Sequence, residues 1–338
     1  MQQIDWSKLG FEFTPTRSNI RFHYANGQWD EGKLTSDYSI NISVAANVLH
    51  YGQAIFEGMK AFRGKDGKVR LFRPDANAKR LNSSARQLVM PEFPVDKFVE
   101  AVRTVVKDNI DYVPPYGTGG SLYIRPVMFG TSPQIGVNAS LEYELVIMVM
   151  PVGAYYKGGI KPVRAVIYDE YDRAAPQGMG DVKVGGNYAA SLYAHEKAKK
   201  DGWPVELYLD AKEHKYVEEF STSNFLGIKA DGTYVTPDSC SVLPSITNMS
   251  LKQCAKDLGI KVECRPVPYT EIKKFDAVAA LGTAVVITPV WEITRGKNVV
   301  KISDPETVHP VLQKLYDRVQ GIQYGTIADK HGWCFEVK

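Results

Sequence analysis

Apolar positions change period several times along the chain, and each change predicts an element. Ala76, Leu81, Ala85 and Leu88 fall near helical spacing and predict a helix over 73–90, stopped by Pro91. Phe98, Val102, Val105, Val106 and Ile110 predict a second amphipathic helix, closed by Pro114-Pro115. The period then drops to two, which predicts strands over 121–130 and 143–150. In the first of these, Leu122, Ile124 and Pro126 share one face, and Tyr123 and Arg125 the other. Upstream, 47–70 reads as a helix or turn followed by a strand pair. Downstream come strands over 162–168, 206–210, 225–230 and 261–267. Helices are expected over 186–200, ended by Gly202, and over 250–258, with Leu251, Cys254, Ala255 and Leu258 on one face. Helices and strands mix without strict βαβ alternation. The expected class is therefore α+β and not a doubly wound nucleotide fold.

A length of 338 residues leads us to expect two domains. Pro151-Val-Gly-Ala-Tyr-Tyr-Lys-Gly-Gly159 is loop-like and marks the boundary. The expected division is 1–151, an interdomain loop over 152–160, and 161–338. Lysine and arginine number 41 against 38 acids, a net +3 with no basic run, far too weak to argue for nucleic acid, and none is expected as a partner. No apolar run is long enough for a membrane helix, and the start shows no leader pattern. Cys240, Cys254, Cys264 and Cys334 form no CxxC pair, so neither a zinc site nor a redox pair is indicated, no metal is expected, and a reducing cytoplasm fits.

The stretch from Gly178 to Ser191 sets Lys183 among Gly178, Gly180, Gly185 and Gly186. Small neighbours let a planar cofactor or a backbone come close. A lysine so placed suits Schiff-base chemistry, and Glu219, heading Glu-Phe-Ser-Thr-Ser-Asn224, suits support of a cofactor ring nitrogen. Taken singly, each has a plainer reading: a solvent-facing lysine in a turn, and a solvated Glu218–Glu219 pair before a strand. Leu243-Pro-Ser-Ile-Thr247 precedes a helix, so Ile246 and Thr247 could offer N–H groups to a phosphate, or Ser245 or Thr247 could simply cap it. Thr283, in Leu281-Gly-Thr-Ala284, could expose N–H and hydroxyl to an anion, or sit in a plain turn. Arg80 suits phosphate, and Tyr51, Phe56, Tyr123 and Arg125 could line a largely apolar pocket.

Read together, these blocks resemble the branched-chain amino acid aminotransferases, which are pyridoxal 5'-phosphate enzymes of fold type IV. The blocks are His50-Tyr-Gly-Gln-Ala-Ile-Phe-Glu-Gly-Met-Lys60, Arg70-Leu-Phe-Arg-Pro74, Ser121-Leu-Tyr-Ile-Arg-Pro126, Pro151-Val-Gly-Ala-Tyr155, Lys183-Val-Gly-Gly-Asn-Tyr188 and Gly282-Thr-Ala284. The likeness runs from about residue 50 to 337. It implies a smaller N-terminal and a larger C-terminal α+β domain with the cofactor between them, and a homodimer whose loops complete each other's sites. It implies Lys183 as the Schiff-base lysine, Glu219 as the partner of the pyridine nitrogen, and Tyr188 as the hydroxyl on the phenolic oxygen. Arg80, Ile246, Thr247 and Thr283 would form the phosphate cup, with Thr222 a further polar contact near the ring. Tyr51, Phe56, Tyr123, Arg125, Thr283 and Ala284 would form the substrate pocket, with Arg125 suited to the side-chain carboxylate of glutamate. The implied reaction is ping-pong exchange between leucine, isoleucine or valine and 2-oxoglutarate. D-Amino acid aminotransferases and aminodeoxychorismate lyases share the fold, and a non-catalytic cofactor binder is a further alternative. Three positions depart from the family pattern: Ser245 replaces a usual glycine, Asn248 stands where a basic residue is common, and Leu226 replaces a usual aromatic.

Overall fold

The computed structural model describes residues 4–154 and 159–338. Residues 155–158 of the expected interdomain loop, including Tyr155 of the quoted block, lie outside the described residues. The chain divides into two compact units: Met1–Tyr155 with Lys183–Gly185 and Gly321–Lys338, and Tyr156–Val182 with Gly186–Gln320.

The first unit begins with strands β1 (Asn19–Ala25), β2 (Gln28–Trp29) and β3 (Lys33–Thr35), then a short helix α1 (Asn47–Tyr51). Strands β4 (Ala54–Phe56), β5 (Met59–Arg63) and β6 (Val69–Phe72) follow, then helices α2 (Pro74–Gln87) and α3 (Val95–Asp108), and the long strands β7 (Ser121–Gly130) and β8 (Tyr143–Val152). Helix α2 starts with proline at its first turn, where the missing N–H costs nothing. The apolar faces of α2 and α3 pack on the sheet: Leu81, Ala85, Phe98, Val102 and Val105 join Leu71, Leu122, Ile124 and Leu145 in one buried cluster. As expected, β7 buries Leu122 and Ile124 on that face, leaving Tyr123 and Arg125 on the other. The sheet has nine strands and includes one from the far end of the chain, Cys334–Val337, which pairs antiparallel with β6.

The second unit carries β9 (Val163–Ile167), α4 (Gly185–Lys200), β10 (Val205–Leu209), β11 (Tyr216–Phe220), β12 (Ser223–Lys229), β13 (Tyr234–Thr236), α5 (Ile246–Asp257), β14 (Val262–Cys264), β15 (Val267–Pro268), β16 (Phe275–Gly282), β17 (Val286–Arg295) and β18 (Asn298–Lys301), with α6 (Pro310–Gln323) leading to the last strand. Strands β9 and β10 are parallel, and α4 is the crossover that parallel pairing requires. Strands β12, β16, β17, β9, β10 and β11 neighbour one another in that order, and β11 pairs back onto β12, so the ten-stranded sheet closes on itself. Phe220, Phe225, Val278 and Val290 are buried in its core.

The expected strand over 261–267 is instead two short strands, β14 and β15. Residues 265 and 266 carry a bend between them, and β14 runs parallel to β13 while β15 pairs with β11. Helix α5 starts at Ile246, earlier than the apolar spacing indicated. The Ser245 side chain caps it by accepting from the Asn248 N–H at 3.1 Å.

Candidate active site

In the first unit, Lys183 is pinned by its own backbone. Its N–H donates to Ser84 Oγ on α2 at 3.1 Å, and its carbonyl accepts from the Phe56 N–H on β4, also at 3.1 Å. Val184 bridges to Ile55. The side chain lies with Nζ 4.7 Å from the centroid of the Phe56 ring. Burial, helped by the nearby Arg80 guanidinium and opposed by Glu57, lowers the lysine pKa to about 8. A lysine in that range is partly neutral at slightly alkaline pH and is therefore a nucleophile. The solvent-facing reading of this lysine is thus excluded.

Arg125 stands beside it. Its Cζ lies 4.8 Å from the Phe56 centroid and 5.3 Å from that of Tyr123, and its Nη2 donates to the Tyr123 hydroxyl at 2.9 Å. Two cations thus share one aromatic ring, and the strand alternation of β7 sets Tyr123 and Arg125 on the same face. Gly58 is required here, because a Cβ at that position would run into the Tyr123 hydroxyl. Arg80, on α2, forms a forked ion pair with the fully buried Glu57, Nε to Oε1 at 2.7 Å and Nη2 to Oε2 at 2.8 Å. Asn77 Nδ2 also donates to Glu57, at 2.7 Å. Burial pushes the Glu57 carboxyl up, but Arg80 and Lys183 outweigh it and hold the group below its ordinary value. The first unit thus gathers Lys183, Phe56, Tyr123, Arg125 and Arg80. Tyr51 is exposed on α1, and its hydroxyl donates to the Ile135 carbonyl.

In the second unit, Glu219 and Asn224 are directly opposed across the β11–β12 hairpin, whose turn carries Thr222. Both acids of the pair 218–219 are buried, which rules out the solvated reading. Glu219 Oε1 meets Arg173 Nη2 at 2.9 Å and accepts from the Leu243 N–H at 2.8 Å, while Oε2 accepts from Asn224 Nδ2 at 2.8 Å. Arg173 also donates to the Gly180 carbonyl at 2.6 Å and to that of Ser241. That approach needs glycine, since a Cβ at 180 would collide with the Ser241 carbonyl oxygen. The neighbouring Glu218 differs: burial raises its pKa, and a hydrogen bond from Ser239 offsets this only in part.

Ile246 and Thr247 are the first residues of α5, both buried, two and three residues past Pro244. Thr283 and Ala284 sit in the turn between β16 and β17, where Val286 adopts a positive φ of 64°. A Cβ on the adjacent Gly282 would come within 3.0 Å of Ser223 Oγ, so this turn and the Thr222 turn run side by side. Tyr188 is half-buried on the first turn of α4. At Gly185 and Gly186 a Cβ would meet no protein atom within 4 Å, which leaves room next to Lys183.

Three of these residues were not singled out from the sequence. Glu57 lies inside a quoted block but was given no role, Asn224 closes the acid-turn motif, and Arg173 carries no local signal because its partner is distant in sequence.

The chain has clear counterparts among known proteins. The family model for amino-transferase class IV matches residues 54–293. A branched-chain-amino-acid aminotransferase from Haemophilus influenzae is 46% identical, with 100% of both chains covered. One from Helicobacter pylori is 42% identical over 100% of this chain and 99% of its own length. Among solved structures, the T.th. branched-chain amino acid aminotransferase complexed with N-(5'-phosphopyridoxyl)-L-glutamate superposes with a TM-score of 0.79 at 27% identity, covering 96% of this chain and 100% of its own.

Proposed function

The chain belongs to the class IV aminotransferases, of fold type IV, and from that premise we infer that it is a branched-chain-amino-acid aminotransferase. It exchanges the amino group of L-leucine, L-isoleucine or L-valine with 2-oxoglutarate by means of pyridoxal 5'-phosphate. The observation that carries this reading is the desolvated Lys183, lowered to about 8, on an aromatic ring that it shares with Arg125. When bound, the cofactor supplies the electron sink and carries the amino group between the two half-reactions.

The residues fit such a group. Glu219, fixed against Arg173, is an ionised carboxylate of the kind that keeps a ring nitrogen protonated. The N–H groups of Ile246 and Thr247 lie at a helix N-terminus, which favours phosphate, and Thr283 and Arg80 are assigned to the same group by residue type. Arg80 keeps its fork on Glu57, so its contribution to phosphate is a fixed positive charge aimed by that acid. Tyr188 hydrogen-bonds the phenolic oxygen, and Thr222 adds a polar contact near the ring. Lys183 anchors the cofactor and then moves the proton at the substrate Cα. Substrate contact is assigned to Tyr51, Phe56, Tyr123, Thr283 and Ala284, and Arg125 suits the distal carboxylate of 2-oxoglutarate. Alternate use of one pocket gives ping-pong kinetics.

The protein works as a homodimer in the cytoplasm. Val44, Leu49, Tyr51, Ile135, Val137 and Leu141 are all exposed. Asn47 ties α1 to the 132–138 loop, its N–H donating to the Ser132 carbonyl and its side-chain amide to that of Asn138, so much of this apolar surface lies on one patch suited to a second copy. No disulfide links Cys240, Cys254, Cys264 or Cys334, as a reducing compartment allows. No described helix is long and apolar enough to cross a membrane.

The deciding experiment is an absorbance spectrum of the purified protein before and after L-leucine, repeated with Lys183→Ala. The expected result is a band for the lysine-linked cofactor that shifts with L-leucine and is lost in the variant. A band that ignores L-leucine but responds to D-alanine would transfer the protein to the D-amino acid enzymes. No band after added cofactor would overturn the reading.

A further inference from the structure

We propose that Asn248 is a positioning residue that registers the Glu219 carboxylate to the first turn of α5. It would thus align the two ends of one bound ligand: the ring nitrogen at Glu219 and the phosphate at Ile246 and Thr247. The proposal rests on the cofactor reading above.

Glu219 is paired with the Arg173 guanidinium, and a carboxylate in such a pair only accepts. Its Oε2 faces Asn224 Nδ2 at 2.8 Å, so the amide orientation of Asn224 is settled by chemistry. The other N–H of Asn224 donates to the Leu243 carbonyl at 3.1 Å, and its Oδ1 must face a donor. That donor is Asn248 Nδ2, at 3.0 Å. The second N–H of Asn248 meets Thr236 Oγ1 at 3.0 Å, leaving Asn248 Oδ1 to accept from the Tyr234 hydroxyl at 2.7 Å. The links from Tyr234 to Asn248, from Asn248 to Asn224 and from Asn224 to the acid therefore all donate toward Glu219. Such a directed chain favours the ionised carboxylate and holds its orientation. All four side chains are buried, so a broken link cannot be replaced by bulk water.

Asn248 is also part of α5: its backbone N–H donates to the Ser245 cap. One residue thus carries both the link to Glu219 and a share of the helix start. A basic side chain at 248 could donate to Asn224 but could not accept from Tyr234. Asparagine at 248 is what allows the chain to continue.

The test is a double-mutant cycle on the full-length cofactor-free protein, read as the dissociation constant of pyridoxal 5'-phosphate in an absorbance titration. Asn248→Ala should weaken binding about tenfold, as expected for loss of a bond that acts on a charged group. In a Glu219→Gln background the same change should cost less than about twofold. There Oε1 still accepts from Arg173 and Leu243, so the new NH2 faces the Asn224 NH2 and the link is already broken. Losses that multiply in the double variant would show that Asn248 only supports the helix, and would overturn the proposal. Asn248→Asp guards against misfolding of the alanine variant. It keeps the acceptor for Tyr234 but sets an acceptor against Asn224 Oδ1, so binding relative to wild type should be weaker at pH 8 than at pH 5.5, where a protonated acid can donate. A ratio independent of pH would count against the proposal. A wild-type protein that binds no cofactor, or a band unaffected by Lys183→Ala, would instead overturn the underlying reading.

Discussion

Replacing Lys183 by methionine should stabilise the cofactor-free protein. A buried lysine whose pKa falls from 10.5 to about 8 binds its proton less well in the folded state than in the unfolded one. Below pH 8 both states are charged, and the folded state carries the whole penalty, about 3 kcal/mol at 1.36 kcal/mol per pH unit. Partial solvent contact of the residue trims this to about 2 kcal/mol. Methionine keeps the apolar stem on Phe56 but forfeits the cation–ring contact, worth about 0.5–1 kcal/mol. The net gain for Lys183→Met at pH 7 is then about 1–1.5 kcal/mol. The sign has a pH signature. Between pH 8 and 10.5 the folded lysine is neutral while the unfolded one is still protonated, so wild-type stability rises and the advantage of the variant vanishes. Urea denaturation of both cofactor-free proteins from pH 7 to 10.5 measures the difference. Lys60, also lowered by burial to about 8, titrates in the same window and cancels between the two. A difference that does not change with pH, or a wild type more stable than the variant at pH 7, would refute the electrostatic account of Lys183.

Three further outcomes are expected. Glu57→Gln leaves the Arg80 guanidinium buried without its counter-charge and should cost about 3 kcal/mol in denaturation; it should also move the titration of Lys183 to lower pH, read from the pH dependence of the stability of the cofactor-free protein. Gly58→Ala drives a methyl into the Tyr123 hydroxyl and displaces Arg125 with it, so the KM for 2-oxoglutarate should rise about tenfold with a smaller change in kcat, measured in steady state. Ser245→Ala removes the α5 cap and should cost about 1 kcal/mol of stability, visible as a lower urea midpoint.

Local pattern made a large part of the fold legible. The strand over 121–130 coincides with β7, because its alternating apolar residues meet a helix layer on one side only. Helices α2 and α3 follow from apolar spacing and the prolines that bound them. The bend between β14 and β15 and the short strands at the start of the chain were not legible: pairing partners decide them, and those lie far along the sequence.

The candidate site divides the same way. The sequence alone brought forward Lys183, Glu219, Arg80, Arg125 and the small-residue turns, because their residue types and their order along the chain carry the chemistry whatever the fold. Only the tertiary structure decided which groups are desolvated and who neutralises them. It set Lys183 on Phe56, closed Arg80 onto Glu57, turned Arg173 onto Glu219 and strung Asn224, Asn248 and Tyr234 behind it. It also returned the last strand to the first sheet, beside β6. Charge and type are properties of a residue, but burial and pairing depend on neighbours from distant segments, and a pKa or an orientation exists only once those segments have met.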